Sequence, residues 1–77
     1  MLDWDVGPPS SKMLLVVNGV SREVRDELTV AELLAEERVA QEQVLVEVNG
    51  RVLPAGEHRR VLADGDRVEI IRPAFGG

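Results

Sequence analysis

Leu28-Thr29-Val30-Ala31-Glu32-Leu33-Leu34-Ala35-Glu36-Glu37 is the stretch that decides the fold of this 77-residue chain. Thr29 and Glu32 have capping-box spacing, in which a hydroxyl and a carboxylate reciprocally satisfy two backbone donors that the start of a helix leaves free. Leu28 and Leu33 hold the positions of a hydrophobic staple across the same start. The spacing therefore predicts a helix beginning at Val30. Val30, Leu33 and Leu34 recur at i, i+3 and i+4, which gives one apolar stripe to lay across a sheet. These residues read as core and not as a binding motif.

Upstream, Met13-Leu14-Leu15-Val16-Val17 leads through Asn18-Gly19 into Val20-Ser21-Arg22-Glu23-Val24. Two β-rich runs joined by Asn-Gly make a strong hairpin signal, because a type I′ turn needs positive φ at both central residues. Strands are predicted over 13–17 and 20–25. The first run is apolar without alternation, which predicts that both its faces are covered. Downstream, Val44-Leu45-Val46-Glu47-Val48, Asn49-Gly50 and Arg51-Val52-Leu53-Pro54 repeat the strand, turn, strand order. Shared turn chemistry explains the repeat better than internal duplication. Pro54 either ends the fourth strand or sets it at an edge, since it has no N–H to donate. After an irregular 55–60 segment, Val61-Leu62 precedes the turn Asp64-Gly65-Asp66 and a last strand, Arg67-Val68-Glu69-Ile70-Ile71.

The order β-β-α-β-β-β describes an α+β domain in which one face of a mixed four- to five-stranded sheet covers one helix. This is the β-grasp, or ubiquitin-like, arrangement. If the second and third strands are parallel, the helix between them follows the right-handed crossover rule. Val30, Leu33, Leu34, Val46, Val48, Leu62, Val68 and Ile70 are the expected core. The domain spans 13–77, and its last residues, 72–77, form a flexible tail without strand or helix signal. Ahead of it, Gly7-Pro8-Pro9-Ser10-Ser11 reads as a linker, because proline lacks a donor and fixes φ. Residues 1–12 are thus expected to be a flexible N-terminal extension, dispensable for folding, with Trp4 as its one large apolar group.

Fourteen acidic and nine basic side chains leave a net charge of -5, which disfavours phosphate backbones and anionic lipid surfaces. Neither nucleic acid nor membrane is an expected partner. The surplus of acid fits a protein partner with a basic patch, and solubility alone also accounts for it. There is no cysteine, hence no disulfide, thiolate metal site or cysteine nucleophile. Asp3 and Asp5 stand where a secretory signal needs positive charge, and no apolar run is long enough to span a bilayer. The expected location is cytoplasmic.

Catalytic machinery is sparse. His58, between Glu57 and Arg59, is the one histidine and is expected in a solvated loop, without the partners that metal binding or general-base work require. Asp64 and Asp66 lack the rest of a calcium loop and read as turn residues. Ser10, Ser11 and Ser21 lack the setting of a nucleophile, and no phosphate-binding fingerprint is present. No metal site is expected. The exception is the end of the chain, Gly76-Gly77. Without Cβ atoms such a tail is thin enough to thread a narrow channel, and its terminal carbonyl is open to attack.

Val17-Asn18-Gly19, the Leu28–Leu34 segment, Val46-Glu47-Val48-Asn49-Gly50-Arg51-Val52-Leu53-Pro54, Asp64-Gly65-Asp66-Arg67-Val68-Glu69-Ile70-Ile71 and Gly76-Gly77 occur in the order seen in the ThiS sulfur carriers. The chain resembles that family, within the ubiquitin-like group that also holds the molybdopterin-synthase subunit MoaD. The short link from helix to third strand and the Val-Asn-Gly-x-Val-x-Pro run are similar to ThiS. The resemblance implies a sulfur carrier for assembly of the thiamin thiazole ring, acting as a co-substrate and not as an enzyme. A ubiquitin-activating-type adenylyltransferase, similar to ThiF and MoeB, would adenylate the Gly77 carboxylate with its own ATP and Mg²⁺, and this chain would bind no cofactor. Sulfur from a persulfide donor would yield a Gly77 thiocarboxylate, handed to a ThiG-like thiazole synthase. Gly76 would supply clearance, and Pro73, Ala74 and Phe75 the tail's contacts with its partners. Carriers for molybdopterin synthesis or tRNA thiolation, a ubiquitin-like modifier, and a plain binding module are the alternatives.

Overall fold

The computed structural model describes residues 12–73. Five strands, β1 (Lys12–Val17), β2 (Val20–Arg25), β3 (Leu45–Val48), β4 (Arg51–Leu53) and β5 (Arg67–Ile71), and one helix, α1 (Val30–Glu36), follow the predicted order. β1 begins one residue earlier than expected, so Lys12 belongs to the sheet, paired with Arg25. Short 3-10 turns at Gln41–Gln43 and Ala55–Glu57 occupy the two connections flanking the second hairpin.

The strands lie side by side in the order β2-β1-β5-β3-β4. β1 and β2 form one antiparallel hairpin, β3 and β4 the other, and β5 enters between them, parallel to β1 and antiparallel to β3. These senses make β2 and β3 parallel to each other. Both Asn-Gly turns take positive φ at both residues, with Asn18 at 50°, Gly19 at 84°, Asn49 at 54° and Gly50 at 85°, as a type I′ turn demands. β4 stops at Leu53 on the sheet's edge, so Pro54 both follows the strand and leaves no ladder donor missing.

Thr29 caps α1 as its spacing predicts. The Glu32 N–H donates to the Thr29 hydroxyl at 3.1 Å, and the Thr29 N–H donates to the Glu32 carboxylate at 2.9 Å. That backbone donor, with the Arg25 guanidinium 3.0 Å from the same carboxylate, holds Glu32 below its ordinary pKa. Its contribution to stability is therefore complete above the unfolded value and is lost as pH falls through the folded one. Thr29→Ala should lower stability by about 1 kcal/mol in urea titration. Glu32→Gln should fall below the unaltered chain near neutral pH and converge on it in acid.

Leu33 and Leu34 are fully buried with Val30 and Leu28, against Met13, Leu15 and Val17 of β1, Val46 and Val48 of β3, Leu62 and Val68. Ile70 packs at the margin of this core. One expectation is corrected here: β1 alternates. Its helix-facing residues are buried, whereas Leu14, on the opposite face, is 57% exposed, because a single helix covers only one side of the sheet. Residues 1–11, with the predicted linker and Trp4, lie outside the described residues. No helix among the described residues is long and apolar enough to cross a membrane.

His58 also departs from its expected place. Its side chain is 5% exposed, and Nδ1 lies 2.8 Å from the Gln41 amide oxygen. The reason is tertiary: the His58 carbonyl accepts from Ala31 N–H and the Arg60 carbonyl from Val30 N–H, so the 58–60 segment caps the first turn of α1 and turns the imidazole inward. Removing the ring should leave a small void and release the exposed Gln41 amide to water. His58→Ala should lower unfolding free energy by about 1–3 kcal/mol, measurable by denaturant titration.

Candidate functional site

The predicted working end of the chain emerges from the middle strand of the sheet. β5 is gripped from both sides by ladders to β1 and β3, and the two hairpin turns add to the grip. Beyond Val17 the first strand no longer runs beside β5, yet Asn18 continues the ladder: its N–H donates to the Val68 carbonyl at 2.9 Å, and its side-chain oxygen accepts from Ile70 N–H at 2.8 Å. From the other hairpin, Asn49 N–H donates to the Arg67 carbonyl at 2.7 Å while its side-chain oxygen accepts from Arg67 N–H at 2.9 Å. The Asn49 amide also donates to Asp66 at 3.0 Å. Each asparagine thus serves twice, as a residue that tolerates positive φ and as a clamp on β5.

Only the first of these roles is legible in the sequence. The available signal was that both turns carry Asn, a residue that can place a side-chain acceptor beside a neighbouring strand, where Gly-Gly would have satisfied the turn alone. Asp64 and Asp66 likewise do more than turn the chain. Asp64 accepts from Leu14 N–H at 2.7 Å and Asp66 from Ala63 N–H at 2.8 Å, and the Asp66 carbonyl accepts from Val16 N–H at 3.0 Å. The strand leading to the tail is therefore rigidly mounted along its length.

Pairing between β5 and β3 ends at Ile71 opposite Leu45. Arg72 and Pro73 then leave the sheet, and Pro73 is half-buried. They form one wall of a groove of about 330 Å³, completed by Arg38, Val39, Gln43 and Val44 from the segment that joins α1 to β3. Of the predicted tail residues, Pro73 is placed in this groove; Ala74, Phe75, Gly76 and Gly77 lie outside the described residues. Among the described residues no three His, Asp or Glu side chains gather in a way that would hold a metal ion.

The model of the ThiS family matches residues 15–77, which takes in the first hairpin from within β1, the helix, the second hairpin, β5 and the terminal Gly76-Gly77. The chain belongs to the ThiS family. Among solved structures, the thiamine biosynthesis protein ThiS from Geobacter metallireducens is 42% identical to it, with a TM-score of 0.72 over 84% of this chain and 100% of that one. Comparison with curated protein sequences gives no match. In this ThiS-family chain the shared region starts within β1, and the first 14 residues lie before it.

Proposed function

We propose that this ThiS-family chain is a sulfur carrier for thiamine biosynthesis whose reacting group is the carboxylate of Gly77. The observation that carries the reading is the family match running unbroken to the last residue, so that Gly76-Gly77 falls within it. The clamped β5 supports the reading physically: a tail that must enter another protein's active site gains from a root with few degrees of freedom, since ordering at the moment of binding costs affinity.

A carboxylate is a poor electrophile. In the proposed sequence a ubiquitin-activating-type adenylyltransferase, with ATP and Mg²⁺ of its own, lets a Gly77 carboxylate oxygen attack the α-phosphorus and expels pyrophosphate. The terminal sulfur of a persulfide then displaces AMP, and cleavage of its S–S bond by a second thiol leaves the thiocarboxylate. That sulfur is nucleophilic and passes to a thiazole synthase. The chain's own contributions are a terminal carbonyl without side-chain hindrance, glycine's conformational freedom beside it, and a folded body for docking. It acts as a co-substrate of those enzymes.

The test is the mass of the intact protein purified from cells grown under thiamine limitation. Replacement of one oxygen by sulfur, lost on Gly77 deletion, is the expected result. A ladder of isopeptide adducts would mark a protein modifier instead, and an unaltered mass when the adenylyltransferase and sulfur donor are supplied would end the carrier reading.

A further inference from the structure

We propose that the groove at the root of the tail is a receptor for an acidic side chain, flanked by an apolar one, on the protein that engages the tail. Its lining holds two arginines, Arg38 and Arg72, together with Val39, Val44, Pro73 and the polar Gln43. The chain is acidic overall, with 14 carboxylate side chains to 9 basic ones, yet neither arginine lies within 4 Å of a carboxylate among the described residues. The acids next to Arg38 in sequence, Glu36 and Glu37, are both turned to Arg22 of β2. Among the described residues two cations are thus left without a carboxylate partner at one groove.

The backbone strengthens the case. α1 ends in a Schellman motif, with Arg38 N–H donating to the Ala35 carbonyl and Val39 N–H to the Leu34 carbonyl, each at 3.0 Å. The motif places Arg38 at φ 59°, a left-handed position that glycine fills without strain and a side chain with Cβ does not. Among the described residues the Arg38 side chain forms no ion pair, and a charged residue held at a strained position points to a role outside the fold. Charge complementarity then selects the occupant: guanidinium forks recognise carboxylates in bidentate geometry, and the apolar walls favour a neighbouring aliphatic side chain. The overall negative charge opposes acidic partners in general, so an acidic contact needs two cations close together, as the groove lining brings Arg38 and Arg72.

Groove binding can be read directly on the ¹⁵N-labelled full chain by two-dimensional NMR, with acetyl-Asp-Leu-Asp-Leu-amide as probe and acetyl-Asn-Leu-Asn-Leu-amide as its neutral match. The expected result is saturable shifts at residues 38–44 and 72 with the acidic peptide, and about tenfold weaker binding of the neutral one. Arg72→Glu should remove the shifts. Arg38→Gly should weaken binding while the melting temperature holds or rises, a split that a purely structural role for Arg38 would not produce. Arg59→Glu, at the opposite end of α1, should change nothing. Equal shifts with both peptides, or none in the groove, would overturn the proposal; concentration-dependent shifts without peptide would assign the groove to a second copy and overturn it as well.

That the natural partner is the activating enzyme rests on the carrier reading, and ATP–pyrophosphate exchange separates the two. Arg72→Glu is expected to raise KM for the chain by roughly tenfold or more with kcat little changed. Exchange with the unaltered chain but an unchanged KM for Arg72→Glu would refute the groove's role and leave the carrier reading standing. No exchange with the unaltered chain would defeat the carrier reading, and the peptide titration alone would decide the groove.

Discussion

Deleting Gly77 is expected to abolish acyl-adenylate formation by the cognate adenylyltransferase and to leave the thermal transition of the protein where it is. The second half follows from the packing: among the described residues the buried cluster ends with Val68, Ile70 packs at its margin, and strand pairing ends at Ile71. The first half follows from the chemistry, because adenylation requires the terminal carboxylate at one distance from the docked body, and a misplacement of one residue removes the near-attack geometry. Gly76→Val should behave in the same way by widening the tail and stiffening its backbone. Pyrophosphate exchange at saturating ATP measures the loss, and a melting curve on the same sample measures the body. If the chain lacking Gly77 supports exchange as well as the intact protein, the tail is not the reacting group.

Leu33→Ala carries the largest expected effect on stability. Leu33 is fully buried at the centre of the helical stripe, at the staple position facing Leu28, and its truncation should cost about 2–5 kcal/mol through lost transfer free energy and an unfilled cavity. Denaturant titration with the slope held constant measures this. For a domain this small that is a large share of the total, so Leu33→Ala should also melt well below the unaltered chain. A variant within about 0.5 kcal/mol of the parent, the scatter typical of surface substitutions, would contradict the helix-on-sheet packing.

Much of the fold was legible because its signals are local. A capping box needs four residues, and both Thr29 and Glu32 do what their spacing implies. The Asn-Gly turns need two, and both adopt the backbone that hairpin twist requires. The terminal glycines were legible for the same reason. Leu14 and His58 were not. An unbroken apolar run at 13–17 has the same appearance whether one or two layers cover it, and only the presence of a single helix decides that Leu14 faces out. A lone histidine between Glu57 and Arg59 has the composition of a solvated loop, and only the docking of 58–60 onto the start of α1 buries it.

The sequence by itself determined the element order, the turn types, the helix start and the composition of the tail, since each follows from interactions among residues a few positions apart. Tertiary structure decided which strands became neighbours, and with that everything at the candidate site. β5 enters between two hairpins that are complete without it, so the bond from Ile70 N–H to Asn18 spans 52 residues, and the clamp from Asn49 depends on the same insertion. The groove between Arg38 and Arg72 likewise joins the end of α1 to the end of β5, segments 34 positions apart in the chain. No local propensity specifies such a pairing; it follows from the one arrangement in which the single apolar stripe of α1 and the inward faces of both hairpins are buried together.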